Sequence, residues 1–103
     1  MGVYSLDRVL ERVVAIAKKF KANKVVLFGS RARGDHSEIS DYDIAVFREG
    51  KLTPSEEAYL YDEIDEIETL KKIDLIWAQP NDSNELMNHI NREGLVLYEQ
   101  ARE

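Results

Sequence analysis

Apolar residues open the chain at helical spacing. Leu6, Val9, Leu10, Val13, Val14, Ile16, Ala17 and Phe20 fall on one face, with Ser5 placed as a cap and Asp7 in the first turn. Lys18, Lys19 and Lys21 stand at the far end, where cations suit the helix dipole. The pattern predicts an amphipathic helix of roughly four turns. The period then changes. Lys24–Phe28 (KVVLF) is a continuous apolar run rich in β-branched residues and stopped by Gly29, which predicts a buried strand. Residues 31–40 are a polar connection with room for one helical turn, residues 41–47 (DYDIAVF) a second strand that begins with acids, and residues 50–52 a turn.

Thr53, Pro54 and Glu56 form a capping box with proline at the first helical position. They open a helix to about Leu70 whose core side is Leu60, Ile64 and Ile67. Ile73–Ala78 (IDLIWA) is a third strand. Asp82 and Glu85 suggest a second capping box, for a helix carrying Leu86, Met87 and Ile90 that Gly94 ends. Residues 95–98 close the chain as a strand at a sheet edge. The order α, β, β, α, β, α, β predicts an α/β (α+β) fold, a mixed sheet with helices packed against it, with residues 1–103 as one domain.

Composition narrows the classes. With 103 residues the chain holds one core, so a large substrate would be recognised partly by another chain. At 44% apolar and 33% charged residues it reads as globular. No apolar run approaches the ~18 residues a membrane span needs. Asp7, Arg8, Glu11 and Arg12 interrupt the place of a signal peptide, and Leu6 occupies the position where a myristoylation signal would want Ser or Thr. The absence of cysteine excludes disulfides and thiolate metal sites, and a cytoplasmic protein is the expectation. A net charge of −6 disfavours duplex DNA or RNA as a direct substrate and suits a basic protein partner.

The chemistry lies in residues 29–47, GSRARGDHSEISDYDIAVF. On a strand, Asp41 and Asp43 project from the same face with about 6 to 7 Å between their α-carbons, while Tyr42 and Ile44 go to the other. Two such carboxylates repel unless a cation sits between them, and Mg is the natural cation for all-oxygen ligands. Asp74 is a third acid, inside IDLIWA. If that strand lies beside the Asp41 strand, three acids converge and can hold two metals ~3.5 to 4 Å apart, the arrangement that serves in-line displacement at phosphorus. Asp74 would then also be placed to take a proton from an incoming hydroxyl. Gly29 and Ser30 follow a strand end, where free N–H groups make an anion nest and the Ser30 hydroxyl adds a donor. Arg31 and Arg33 are read as the only basic residues near the acids, with Arg33 favoured for the triphosphate because Gly34 lets the loop fold close. A Gly-Ser turn or an Asp-x-Asp alone is commonplace, and an acid in a short strand can be an edge charge against aggregation. The joint pattern is what is specific.

These motifs resemble the minimal nucleotidyltransferases of the DNA polymerase β superfamily, in which Gly-Ser after the first strand is followed by Asp-x-Asp and a later acid. Here those are Gly29 and Ser30, Asp41 and Asp43 after ten intervening residues, and Asp74. GSRARG with SDYDI, and the final INREGLVLYE, look like the subgroup that serves as antitoxin beside HEPN ribonuclease toxins. The resemblance implies a small palm-like fold, with ATP and Mg (two ions, or Mn) as reactants. It also implies transfer of AMP to a toxin tyrosine, with Gly29, Ser30, Arg31 and Arg33 at the nucleotide and Asp41, Asp43 and Asp74 as catalytic metal ligands. The alternatives are an antitoxin that works by binding alone and a transferase acting on a small molecule, for which a dimer would supply the second wall.

Other features have plainer readings. Seven acids and no Lys or Arg lie between Leu52 and Leu70, a solvated helix face first and a docking surface for a basic partner second. Trp77 is core material before it is a base contact. His36 and His89 are isolated, without a partner at zinc-ligand spacing, although His36 lies near enough the loop to touch phosphate. Tyr59, Tyr61 and Tyr98 are explained by partial burial.

Overall fold

A computed structural model of the chain describes residues 8–29, 41–69, 71–79 and 85–100. The order is α1 (Arg8–Lys19), β1 (Lys24–Phe28), β2 (Tyr42–Phe47), α2 (Pro54–Asp65), β3 (Ile73–Ala78), α3 (Glu85–Glu93) and β4 (Leu95–Glu99), as the hydrophobic pattern predicts. The cap expected at Ser5, the turn within residues 31–40 and the Asp82 end of the second capping box lie outside the described residues.

The four strands form one sheet in the order β3-β2-β1-β4. β1 runs antiparallel to β2 and to β4, and β2 runs parallel to β3, so the sheet is mixed and β4 is an edge as expected. Alternation along the strands sends side chains to both faces of the sheet, so the single core expected from chain length is divided into two clusters. Val25, Leu27, Tyr42, Ile44 and Val46 pack with Leu10, Val13, Ile16 and Ala17 of α1 and Leu60 and Ile64 of α2. On the other face Val26, Ala45, Phe47 and Ala78 pack with Met87 and Ile90 of α3. Ile90 and Ile44 are wholly buried, each a side chain whose burial contributes about 1.5–3 kcal/mol.

The helix ends follow from local chemistry. α1 stops where Lys21 takes a left-handed φ of 65° and the Ala22 N–H donates back to the Ala17 carbonyl at 3.0 Å. The Thr53 capping box is formed in both directions, with Glu56 N–H to Thr53 Oγ1 at 3.1 Å and Thr53 N–H to Glu56 Oε1 at 2.9 Å. Accepting that backbone N–H, with help from the Thr53 hydroxyl, holds the Glu56 carboxyl below its ordinary pKa of 4.5. α2 ends at Asp65 rather than near Leu70. Its last turn carries no basic residue, and acids at a helix C-terminus oppose the dipole. Ile67 still packs on the core beyond the helix. At Gly94 a Cβ would collide with Val26 Cγ1, so only glycine lets α3 close this tightly onto β1 before β4 begins.

Tyr59 and Tyr61 depart from the expected partial burial. They are 67% and 38% exposed on α2, because a helix that buries only Leu60 and Ile64 must turn its flanking positions outward. Tyr98 does pack on the core, with the Lys18 ammonium 5.1 Å from its ring centre. No helix among the described residues is long and apolar enough to cross a membrane.

Candidate active site

β2 and β3 are parallel and begin at the same end of the sheet, where β1 finishes. Their register pairs Asp43 with Asp74 and Tyr42 with Ile73, while Phe28 of β1 pairs with Asp43 on its other side. Residues opposite one another in neighbouring strands point to the same face, about 4.8 Å apart at the backbone. Asp43 and Asp74 therefore stand side by side on the face that α3 covers further along. Their neighbours in sequence, Tyr42, Ile73 and Leu75, go to the α1–α2 core. β2 begins at Tyr42, one residue later than the sequence predicts, so Asp41 is the residue just before the strand. Its Oδ1 accepts the Lys72 N–H at 3.4 Å, and the Tyr42 N–H donates to the Lys72 carbonyl at 2.9 Å. The three acids predicted to converge are thus brought by the backbone to one end of two adjacent strands.

Gly29 completes this end. It has φ +76°, a left-handed conformation that side chains resist, and a Cβ there would collide with the Asp43 carboxylate. The absent side chain is the space the Asp43 oxygens use. Ser30, Arg31 and Arg33, and with them Gly34 and His36, lie outside the described residues.

Lys72 escaped the sequence reading, which took Arg31 and Arg33 as the only cations near the acids. Its ammonium lies 3.4 Å from Asp74 Oδ1. The signal was available, since residues two apart on a strand share a face, but Lys72 belongs to the segment before the strand and only the pairing of β3 with β2 brings it beside Asp41. Trp77 takes the plainer of its two readings. It packs on the α1–α2 core, on the face away from Asp74. Trp77 also lines a cavity of about 310 Å³ with Arg48, Leu52 and Glu57, at the opposite end of the strands from the acids. His89 pairs with Glu93 one helical turn on, at 2.9 Å.

The donor set suits a hard divalent cation, being carboxylate oxygen throughout. Among the described residues no three acidic or histidine side chains are gathered as tightly as metal ligands. The backbones are in place, and Lys72 holds Asp41 through its N–H and Asp74 through its ammonium.

The family model described as "Polymerase beta, Nucleotidyltransferase" matches residues 11–103, which include all three acids and the Gly29 turn. The chain belongs to the polymerase β nucleotidyltransferase family. Its fold recurs in solved members of toxin–antitoxin complexes. A chain of a toxin–antitoxin complex crystallised with AMP-PNP has a TM-score of 0.71 at 22% identity, over 92% of this chain and 75% of that one. A complex of a tri-AMPylated Shewanella oneidensis HEPN toxin with an MNT antitoxin has 0.63 at 19%, over 89% and 71%. A candidate nucleotidyltransferase of Sulfolobus solfataricus has 0.51 at 19%, over 96% and 94%. No curated protein sequence matches the chain. At these identities the likeness establishes the nucleotidyltransferase fold.

Proposed function

We propose that this nucleotidyltransferase transfers AMP from ATP to a hydroxyl group, and that the acceptor is a tyrosine of a HEPN-type ribonuclease toxin, which it disarms as an antitoxin. The observation that carries the chemistry is the register of Asp43 with Asp74, with Asp41 two residues ahead and the side-chain-free Gly29 alongside. The acceptor is supported by the company the fold keeps, since one similar structure holds an ATP analogue and another an AMPylated toxin.

Asp41, Asp43 and Asp74 would hold Mg²⁺, as two ions, or Mn²⁺. When bound, the metal offsets charge on the triphosphate and makes the hydroxyl more acidic. In this scheme Asp74 takes the proton of the attacking hydroxyl. The hydroxyl oxygen forms its bond to the α-phosphorus as the bond to the bridging oxygen breaks, and pyrophosphate leaves. In the same scheme Gly29, with no side chain, would let a phosphate approach the backbone N–H groups that follow it, with the Ser30 hydroxyl as a further donor and Arg33, or Arg31, offsetting the charge of the leaving group. No nucleic acid enters the scheme as a direct substrate, which accords with the net charge of −6.

The test is Asp41→Asn with Asp43→Asn. Removing one preorganised electrostatic group commonly costs on the order of 10² to 10³ in rate, so the double variant is expected to transfer no detectable label from α-labelled ATP to the toxin. The exchange preserves shape and relieves carboxylate repulsion, so toxin pull-down is expected to persist. If the double variant still protects against the toxin as fully as the parent, binding alone suffices and the catalytic reading loses its functional claim.

A further inference from the structure

We infer that Lys72 is a resident counter-ion of the carboxylate cluster, which a divalent cation has to displace from Asp74. This rests on the reading that Asp41, Asp43 and Asp74 hold the metal, and the test below keeps the two apart. Lys72 touches two of the three acids through different atoms. Its N–H donates to Asp41 Oδ1 at 3.4 Å and its ammonium lies 3.4 Å from Asp74 Oδ1. The backbone part of this hold is fixed, because the Lys72 carbonyl also accepts the Tyr42 N–H at 2.9 Å. The side-chain part is not, because the Lys72 side chain is 72% exposed and Asp74 42% exposed. An ion pair so open to water is weak.

That combination suits a placeholder. Carboxylates gathered by adjacent strands repel, and an ammonium on the same face offsets part of that repulsion at little cost when it must leave. Mg²⁺ binds weakly to one or two carboxylates and gains its remaining ligands from substrate phosphates. Lys72 thus sets a threshold. A metal ion without nucleotide has to compete with the ammonium for Asp74, whereas an ion that arrives with triphosphate oxygens has enough ligands to displace it. The arrangement makes metal loading at the third acid depend on the nucleotide.

The experiment is titration of the full chain with Mn²⁺, without nucleotide and at low salt, following free Mn²⁺ by electron paramagnetic resonance. Lys72→Met keeps the length of the side chain and removes the charge, and it is expected to bind Mn²⁺ about 3-fold tighter than the parent, the size of a screened surface charge effect. Lys72→Arg is expected to match the parent, and the gain in Lys72→Met is expected to shrink as salt rises. In an Asp74→Asn background the same Lys72→Met change is expected to be silent. Equal or weaker Mn²⁺ binding by Lys72→Met, in a protein whose affinity still falls with Asp41→Asn, overturns the counter-ion role and leaves the metal site standing. Affinity unchanged by Asp41→Asn in the parent overturns the metal site and the counter-ion role with it. Circular dichroism checks folding, and Lys72→Gln carries the same expectation should the methionine variant not fold.

Discussion

Two glycines share a backbone conformation but not surroundings, and the difference isolates the contact that shapes the candidate active site. Gly29 and Gly50 both have φ +76°. Alanine at either position carries the cost of a left-handed conformation, about 1–2 kcal/mol. At Gly50 the added Cβ meets nothing nearer than the Arg48 guanidinium at 3.9 Å, whereas at Gly29 it collides with the Asp43 carboxylate. Forcing a packed group aside typically costs a further ~1–3 kcal/mol. Gly50→Ala is thus expected to destabilise by about 1–2 kcal/mol and Gly29→Ala by about 2–5 kcal/mol, the sum of the two effects. In a domain of this size each kcal/mol lowers the melting temperature by roughly 4–8 °C, so thermal unfolding resolves the pair. Asp43→Ala removes the carboxylate oxygen and carbon that the new Cβ would strike and keeps the Asp43 Cβ at 3.4 Å, an ordinary contact. In that background Gly29→Ala is expected to cost no more than Gly50→Ala does. Equal costs for Gly29→Ala and Gly50→Ala in the parent would refute the reasoning, as would an excess that survives Asp43→Ala. Gly29→Ala is also expected to lose nucleotide transfer beyond its loss of stability, because the carboxylate it displaces belongs to the proposed catalytic set.

The capping box gives a pH dependence of definite sign. The Glu56 carboxyl is held below 4.5 in the folded chain by the Thr53 N–H, so its contribution is present above about pH 4.5 and is lost as pH falls through the lower folded value. Thr53→Ala is expected to cost about 0.5–2 kcal/mol at neutral pH, while Glu56→Gln, which removes the titrating carboxyl, is expected to flatten this part of the acid limb in denaturant titrations; a limb unchanged in shape in Glu56→Gln would count against the assignment. At the loop, Arg33→Ala is expected to weaken ATP binding more than Ser30→Ala, since a charge-assisted contact is about twice as strong as a neutral one. Calorimetry that finds Arg31→Ala damaging and Arg33→Ala silent would reassign the arginines.

The sequence by itself determined every element whose side chains repeat with a fixed period. KVVLF and DYDIAVF announced strands because β-branched and alternating residues fit a pleated, half-buried surface, and Thr53, Pro54 and Glu56 announced a helix start through donors that must be satisfied locally. Asp41, Asp43 and Asp74 were legible as out-of-place acids, and Gly29 as a strand stop. The end of α2 was less legible. The run of acids continues to Glu68, and its pattern does not show where helix propensity yields to an opposed dipole.

Only the tertiary structure decided the pairings. Nothing local to IDLIWA says that it lies parallel to β2 with Asp74 opposite Asp43, because register is a property of two strands and of the core beneath them. β3 proves to be an edge strand, so its position alone would equally suit an acid placed against aggregation; the pairing with Asp43 is what the proposed metal-binding reading rests on. Lys72 illustrates the same limit, being a commonplace surface lysine until the Tyr42 N–H fixes its carbonyl at the start of β3, within reach of whose Asp74 its ammonium then lies, at 3.4 Å. So too does Tyr59, whose ring is turned to solvent because Leu60 and Ile64 claim the buried face of α2. Local chemistry chose the elements and supplied the acids, and long-range packing chose which of them meet.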